Sequence, residues 1–299
     1  MYHIYTLHIY YILNYLNNSL SKFAFYLKLA VILYCFMIVL GFILALFIGM
    51  TLGLVGSGGS ILTVPVFVYV LHVDPNLATT YSLFAIAVSS SVGSVRNFLM
   101  RQVRLNELMV FGLPSVVTVF ITRQFILPLI PDEFKIGPWV FHQNSVLMFF
   151  FGVIMLISAY RMIRSAHILT THSHREVPMY VMALQGAILG VITGGVGAGG
   201  GFLIIPALVN FYKMPIAYAV PTSLAIISLN SIFGLAGDLE KIHLFDWTIL
   251  GPYTLILISG MFCGFYMVRF FAGEQLKKGL GYLILVIGIY VLTQELVNL

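Results

Sequence analysis

Two glycine clusters, each followed by hydroxyl and amide side chains, are the part of this sequence whose residue types could bind a ligand. One lies in GLVGSGGSILTVP, from Gly53 to Pro65, and the other in GGVGAGGGFLIIP, from Gly194 to Pro206. Glycines let a helix break and turn tightly, and the flanking helix ends then expose N–H groups that suit an anion. Serine, threonine and asparagine can coordinate an oxyanion without carrying a permanent charge.

Charged side chains add one candidate site residue and argue against a mechanism that relays protons through carboxylates. Arg123, in VFITRQFIL, is the one basic residue well inside an apolar run, and an intramembrane charge is typical of a functional site. It lies about a turn and a half before Pro128, so we favour the interpretation that it extends to the membrane surface. Carboxylates, by contrast, lie in loops or near helix ends, and none offers a proton relay at the membrane midplane.

The composition places these residues in a membrane. Apolar residues make up 60% of the chain and charged residues only 8%, with a mean hydropathy of +1.02. Such a chain cannot cover itself with water-facing side chains, and several apolar runs reach the roughly 20 residues that a spanning helix needs. The net charge of +5 lies in short gaps between apolar runs and not in a patch, so nucleic acid is not an expected partner. The predicted class is an all-α polytopic membrane protein.

Apolar segments and polar gaps define the expected organisation. Residues 1–27 are expected to be an interfacial or disordered leader, and residues 163–178 a cytoplasmic linker between transmembrane regions 28–162 and 179–299. Two short apolar segments, 60–72 and 202–213, follow the glycine clusters. The long apolar segments are predicted at residues 28–55, 77–97, 106–130, 142–162, 179–197, 217–236, 246–271 and 279–297.

An internal duplication relates the two transmembrane regions. With an offset of 141 residues and no gap, residues 49–93 are identical to residues 190–234 at 15 of 45 positions. The chance expectation for so apolar a composition is roughly one in eleven, so we infer two homologous halves. The matched pairs include Gly58 with Gly199 and Ser82 with Ser223.

Lysine and arginine positions predict that the two halves have opposite orientations. Ten basic residues are assigned to the cytoplasmic side: Arg96, Arg101, Arg104, Arg161, Arg164, Arg175, Lys213, Arg269, Lys277 and Lys278. This satisfies the positive-inside rule only if three long segments of the first half each cross once while residues 179–213 leave and return on one side. Each half then has a glycine-broken re-entrant helical hairpin followed by three transmembrane helices. An odd number of crossings inverts the second half.

Irregular backbone at membrane depth is tolerated where it is buried in protein or lines a polar cavity, so the two breaks indicate a transport site. The predicted substrate-binding residues are Gly56, Ser57, Gly58, Gly59, Thr79, Ser82, Gly197, Ala198, Gly199, Gly200, Thr222, Ser223 and Asn230. Two alternatives stay open. The glycines can serve close helix packing, and the hydroxyls can bond their own backbone or a neighbouring helix.

Enzyme and metal chemistry lack the residues they need. GVGAGG, residues 195–200, matches a dinucleotide fingerprint by letter but has no acidic residue about twenty positions later. Ser57 has no histidine in a central membrane segment to act as its base. The histidines of HILTTHSHRE are more typical of a solvated loop than of a metal site. We expect no enzyme, no cofactor and no bound metal.

The doubled block of glycines, two apolar residues and a proline, in Gly56–Pro65 and Gly197–Pro206, resembles the TauE/SafE family of membrane permeases, the sulfite exporter family. So do the segments ATTYSLFAIAVSSSVGS and AVPTSLAIISLNSIFGL that follow. The resemblance covers roughly residues 28–297. It implies a plasma-membrane carrier, in the inner membrane of a bacterium, for sulfur-containing anions such as sulfite or organosulfonates, with the hairpins meeting at a central site.

The functional prediction is therefore anion export by alternating access. An anion leaving an inside-negative cell gains about 2.3 kcal/mol per charge per 100 mV, so export needs no coupled ion. The expected partners are a small anionic solute, the lipid bilayer and possible further copies of the chain in a homo-oligomer. An anion channel and a non-transporting membrane adaptor or assembly protein are the alternatives, which single-channel currents and the absence of solute flux respectively would favour.

Overall fold

The computed structural model describes residues 2–56, 59–131, 133–136, 139–164, 178–212, 214–268 and 273–298, and the chain divides into two units. The first unit, Met1–Leu40, is helical over its described residues. The second unit, Gly41–Leu299, contains the remaining elements and all the site residues discussed below.

The chain is built from helices joined by short connections. In chain order its elements are α1 (Tyr2–Val55), α2 (Ser60–Pro65), α3 (Pro75–Leu99), α4 (Leu105–Glu107), α5 (Leu113–Ile121), β1 (Glu133–Ile136), β2 (Trp139–His142), α6 (Gln143–Arg164), α7 (Met179–Val196), α8 (Gly201–Pro206), α9 (Ile216–Gly237), α10 (Trp247–Met267) and α11 (Gly273–Asn298). Shorter π-helical and 3₁₀ turns extend several of these, at Val66–Val70, Leu108–Gly112, Thr122–Ile126, Leu127–Leu129, Ala207–Phe211 and Leu239–Leu244.

Among the described residues, eight helical segments are long and apolar enough to cross a membrane, which confirms the predicted polytopic class. They are Val31–Val55, Pro75–Leu99, Leu105–Leu129, Gln143–Arg164, Met179–Val196, Ala217–Gly237, Trp247–Met267 and Lys278–Val297. The two short segments after the glycine clusters are also helical, as Ser60–Val70 and as α8 with its π-helical extension. At 1.5 Å per residue each covers only about 16 Å, roughly half of a hydrocarbon core.

One element departs from the all-α prediction. Strands β1 and β2 form a two-stranded antiparallel sheet in which Glu133 is opposite His142 and Ile136 is opposite Trp139. The segment EFKI alternates polar and apolar residues, which is the period of a strand. It joins two membrane-spanning segments, so it does not change the helical character of the part that crosses the bilayer.

Close helix contacts depend on glycines that lie just before the two clusters. A Cβ placed at Gly49 of α1 would overlap the carbonyl oxygen of Leu257 in α10, and one at Gly190 of α7 would overlap that of Ser115 in α5. Small residues at such contacts let two backbones approach directly, which is the usual packing mode in membranes. Helices α1 and α7 are therefore held against α10 and α5 respectively.

The centre of the second unit is the pair α3 and α9, which pack along each other. Helix α2 contacts α3, helix α8 contacts α9, and the two short helices also contact each other. Buried polar side chains are concentrated on this pair, where Thr79, Ser82, Ser223, Asn230 and Ser231 are each fully buried. A polar interior in an otherwise apolar bundle indicates where a ligand site is to be sought.

Candidate functional site

The two glycine loops have the same backbone conformation at matched positions. Gly56, which follows α1, has φ = +79°, and Gly197, which follows α7, has φ = +72°. This left-handed conformation costs an L-residue with a side chain roughly 1–2 kcal/mol, so glycine is required for the chain to leave each helix in this direction. Ser57 and Gly58, also predicted for the site, lie outside the described residues.

Each loop contacts the long central helix of the other half. A Cβ at Gly56 would lie 2.5 Å from a methyl group of Val220 in α9, and a Cβ at Gly197 would lie 2.5 Å from Cβ of Thr79 in α3. Val220 and Thr79 are themselves matched by the 141-residue offset. The first loop therefore packs near the start of α9, and the second loop packs at the equivalent position near the start of α3.

The second glycine loop is buried from Gly197 to Gly200. Gly199 has φ = +63°, and a Cβ there would lie 2.6 Å from Oγ of Ser231. Gly200 has φ = +74° and faces the side chain of Thr193, while Ala198, between Gly197 and Gly199, is fully buried. In the first loop, a Cβ at Gly59 would overlap the hydroxyl of Thr51.

The buried hydroxyl and amide side chains of α3 and α9, which include the predicted Ser82, Ser223 and Asn230, divide into groups with and without a hydrogen-bond partner. Oγ of Ser82, Oγ of Ser231 and Oδ1 of Asn230 are buried and have no hydrogen-bond partner within the described ranges. Asn230 nevertheless donates through Nδ2 to Oγ of Ser115 at 2.9 Å. Ser223 donates to the carbonyl oxygen of Val220 at 2.8 Å. The free acceptors and donors are the ones available to a ligand.

Thr222 holds the loop before α4 in this conformation. Its Oγ1 accepts a hydrogen bond from the backbone N–H of Arg104 at 3.0 Å, which fixes the loop before α4. Tyr81, the residue matched to Thr222 in the first half, does the same for the loop before α10, because its hydroxyl accepts from the N–H of Asp246 at 2.6 Å. The predicted role of Thr222 in binding substrate therefore competes with an observed role in positioning a loop.

Arg123 is buried, and the expectation that it extends to the membrane surface is wrong. It lies on the π-helical turn Thr122–Ile126, with only 1% of its surface exposed. Its Nε donates to the carbonyl oxygen of Gly194 at 2.7 Å, and its Nη1 donates to Oδ2 of Asp238 at 2.5 Å and to Oγ1 of Thr79 at 3.1 Å. Gly194, Thr79 and Asp238 thus accept the hydrogen bonds that groups at the membrane surface were expected to accept.

The remaining nitrogen of this guanidinium faces the second glycine loop. Nη2 of Arg123 is buried and lacks a hydrogen-bond partner among the residues that the structure describes. A Cβ at Gly197 would overlap Nη2, so the absence of a side chain at this position is what lets the guanidinium approach the loop. Arg123 and Gly197 both stand out in the sequence, but their positions in the chain do not show that they are in contact.

Asp238, at the end of α9, is the carboxylate partner of Arg123. It lies at a helix end, as predicted, but its side chain is only 4% exposed. Oδ2 also accepts a hydrogen bond from Thr80 at 2.9 Å, and Oδ1 lies 3.5 Å from Nζ of Lys241. Lys241 in turn donates to Oδ1 of Asn76 at 2.8 Å. We call Arg123, Asp238, Lys241, Thr79 and Thr80 the arginine cluster.

A cavity of about 250 Å³ opens beside the arginine cluster. Its polar lining includes Arg123, Asp238 and Lys241 with the neutral amides Gln124 and Gln143. Since one water occupies about 30 Å³ of liquid, the cavity has room for a small anion together with water. The cavity borders Arg123 but does not reach its Nη2, which is buried in this conformation.

A second, smaller cavity of about 160 Å³ is lined by Ser158, Arg161, Gln185 and residues of α8 and its extension. The hydroxyl of Tyr212 donates to Oε1 of Gln185 at 2.6 Å next to it. Burial of this hydroxyl raises the pKa of Tyr212 to about 12, so it stays protonated and remains a donor at neutral pH. Within the described residues there is no cluster of side chains able to hold a metal ion.

Comparison with known proteins identifies the family. A family model described as "Sulfite exporter TauE/SafE" matches residues 40–291 of this chain. The chain belongs to the TauE/SafE family. It is therefore a multi-pass membrane protein from a family of transporters and not an enzyme.

Relatives from bacteria and an archaeon support this membership. The chain is 26% identical over 261 residues to a "Probable membrane transporter protein" of Xylella fastidiosa (strain 9a5c), which covers 84% of this chain and 94% of the relative. It is 28% identical over 204 residues to "Probable membrane transporter protein MJ0441" of Methanocaldococcus jannaschii, covering 67% and 70% respectively. "Probable membrane transporter protein YunE" of Bacillus subtilis is 24% identical over 256 residues, covering 75% and 86%. No solved structure is significantly similar to the chain.

Proposed function

We propose that this TauE/SafE transporter exports small oxyanions, sulfur-containing ones such as sulfite or organosulfonates, across the plasma membrane by alternating access. The observation that carries the proposal is the pair of left-handed glycine loops, Gly56 and Gly197, each wedged against the central helix of the other half. Broken helices at corresponding places in two halves are typical of a transporter's binding site.

The oxyanion would bind at the centre of the α3–α9 pair. Free hydroxyl groups at Ser82 on α3 and Ser231 on α9 are buried there, and Oγ of Ser231 borders the second glycine loop at Gly199. Hydroxyls donate to an anion, and a buried polar atom with no partner costs roughly 1–3 kcal/mol, so a ligand that satisfies it is bound more tightly. The other predicted residues of the loops and of α3 and α9 would line this site.

An inverted repeat would provide the two alternating states. Under the 141-residue offset α1 matches α7, and α5 matches α10. The contacts follow the same relation, because α1 packs on α10 while α7 packs on α5, and the matched helices α3 and α9, and α6 and α11, pack on each other. Such crossed contacts are expected when two halves are related by a two-fold axis. An axis in the membrane plane would let them exchange conformations.

Cysteine labelling tests the inverted topology. In a protein whose two native cysteines have been replaced, single cysteines at positions 102 and 170 should react with a membrane-impermeant reagent from the cytoplasm, and those at 136 and 242 from outside. The C-terminus should be external by the same count. Labelling of positions 102 and 136 from the same side would contradict the inverted repeat.

Flux in reconstituted vesicles tests the function. With a potassium–valinomycin potential that is negative on the side of the cytoplasmic loops, sulfite or methanesulfonate should leave that side faster than at zero potential, because each charge gains about 2.3 kcal/mol per 100 mV. Protein-free vesicles give the background rate. Transport that ignores the potential and follows an imposed pH gradient would exclude potential-driven export. Absence of flux for every oxyanion tried would exclude the proposed substrate class.

A further inference from the structure

We propose that the guanidinium of Arg123 binds the transported oxyanion and that Asp238 is the internal counter-ion which the anion displaces. The inference rests on the proposed function and assigns the charge that holds the substrate. It also extends the predicted site, which contained neutral groups only, by two buried charged residues.

Nη2 of Arg123 is a buried donor that has no partner within the described structure. Among the polar side-chain atoms of the described residues that are buried without a partner, Nη2 of Arg123 is the one that belongs to a charged group. Guanidinium groups present paired N–H donors in a rigid fork that matches the oxygens of an oxyanion. A fork with one arm occupied by a carboxylate and the other arm free is suited to accept such an ion.

This nitrogen lies against the second glycine loop. Nη2 contacts Gly197, whose left-handed backbone forms the second glycine loop, and Nε holds the carbonyl oxygen of Gly194 just before the loop. Oγ of Ser231 borders the same loop at Gly199. In this conformation the loop covers Nη2, so an anion can reach it only when the loop moves. Binding is thereby coupled to movement of the hairpin.

The charges of the arginine cluster do not cancel. The arginine cluster contains two cations, Arg123 and Lys241, and one carboxylate, Asp238, so it carries a formal charge of +1. Glu240, the other carboxylate beside the cavity, is solvent-exposed and therefore screened. Lys241, whose side chain is 30% exposed, supplies the excess charge, and a bound monovalent anion makes the cluster as a whole neutral.

Asp238 keeps other partners when it gives up the arginine. Thr80 donates to its Oδ2, and Lys241 lies 3.5 Å from its Oδ1.

The arginine has no counterpart in the second half, because the positions matched to Arg123 and Asp238 are Gly264 and Asn97. The duplicated scaffold therefore carries one charged anion site and not two.

Anion binding to purified protein tests the assignment. Sulfite, methanesulfonate and sulfate are titrated, and the ligand-dependent rise in melting temperature gives the dissociation constant. Arg123→Gln should weaken binding by about 10–100-fold, the range expected for losing hydrogen bonds from a charged donor. Asp238→Asn should instead tighten binding by about fivefold or more, because it removes the competitor for the guanidinium and leaves the charge. Lys278→Gln, which removes an exposed charge, is the matched control and should bind as the unmodified protein does.

Opposite signs separate binding from a structural role, because a purely structural ion pair would make both single variants bind more weakly. Arg123→Gln leaves a buried carboxylate without its partner and can unfold the protein. The double variant Arg123→Gln/Asp238→Asn is neutral at both positions and keeps the assay interpretable. Weak binding by the double variant supports the proposal, and unchanged binding by it, or weaker binding by Asp238→Asn, overturns it. If the unmodified protein itself responds to none of the three anions, the proposed oxyanion function fails as well.

Discussion

Replacing Gly197 by alanine adds one methyl group at the most constrained point of the second glycine loop. Its φ of +72° lies in the left-handed region, and the new Cβ would meet the side chain of Thr79 at 2.5 Å and overlap Nη2 of Arg123. Neither neighbour can move freely, because Thr79 is fully buried and Arg123 is held by Gly194 and Asp238. The substitution should therefore strain the backbone and displace the guanidinium together.

The expected loss in the free energy of unfolding is the sum of two contributions, backbone strain and steric overlap. A left-handed non-glycine residue costs roughly 1–2 kcal/mol, and forcing a methyl group into a filled interior costs roughly 1–3 kcal/mol. Gly197→Ala should thus reduce the free energy of unfolding by roughly 2–4 kcal/mol, allowing for partial relaxation. Gly195→Ala is the matched control two residues earlier in α7, where nothing lies within 4 Å of an added Cβ. Alanine there should be neutral or stabilising by up to about 1 kcal/mol.

Melting temperatures of the two variants in detergent provide the comparison. For a chain of this size the expected loss corresponds to a decrease of roughly 5–15 °C for Gly197→Ala. Oxyanion flux per folded molecule should fall for Gly197→Ala and remain unchanged for Gly195→Ala. Equal melting temperatures for the two variants would refute the left-handed turn and the close approach of Arg123 on which the reasoning rests.

The remaining predictions concern other glycines. Gly58→Leu and Gly199→Leu should each abolish flux while the protein still inserts, because a leucine fills space that the loop or ligand needs; unmodified flux in both would reduce the motif to packing. Gly190→Leu should destabilise the protein by roughly 1–3 kcal/mol or more, because its side chain would separate α7 from α5. Gly279→Leu, where no atom lies within 4 Å of an added Cβ, should melt like the unmodified protein; equal effects of Gly190→Leu and Gly279→Leu would contradict the helix contact.

Sequence analysis predicted the helical segments well because membrane solvation is a local constraint. A spanning helix needs roughly 20 apolar residues wherever it lies in the bundle, so hydropathy alone identified segments that match the observed helices closely. The two breaks followed from glycine content, since few other residues adopt the conformation seen at Gly56 and Gly197. The strands β1 and β2 were missed because a short hairpin between two spans leaves only a weak alternation of polar and apolar residues.

The candidate site was only partly predictable, because a side chain's role depends on what it faces. Ser82 and Thr222 look alike in sequence, yet Ser82 has a free hydroxyl within the described structure whereas Thr222 holds the loop at Arg104. Helix rotation and the path of each loop decide such differences, and neither is encoded in the spacing of polar residues. The predicted contributions of both residues to substrate binding remain predictions.

By itself, the sequence determined that this protein is a polytopic membrane protein, built from a duplicated unit with a glycine break in each copy. Those properties come from composition, hydropathy and self-similarity, which the chain carries whatever its partners are. Only the tertiary structure decided that Arg123 is buried and paired with Asp238, a residue 115 positions away in the chain. A charge inside an apolar run can reach the membrane surface or turn inward. Its direction is decided by whether packed helices bring a counter-ion close enough to offset the loss of water.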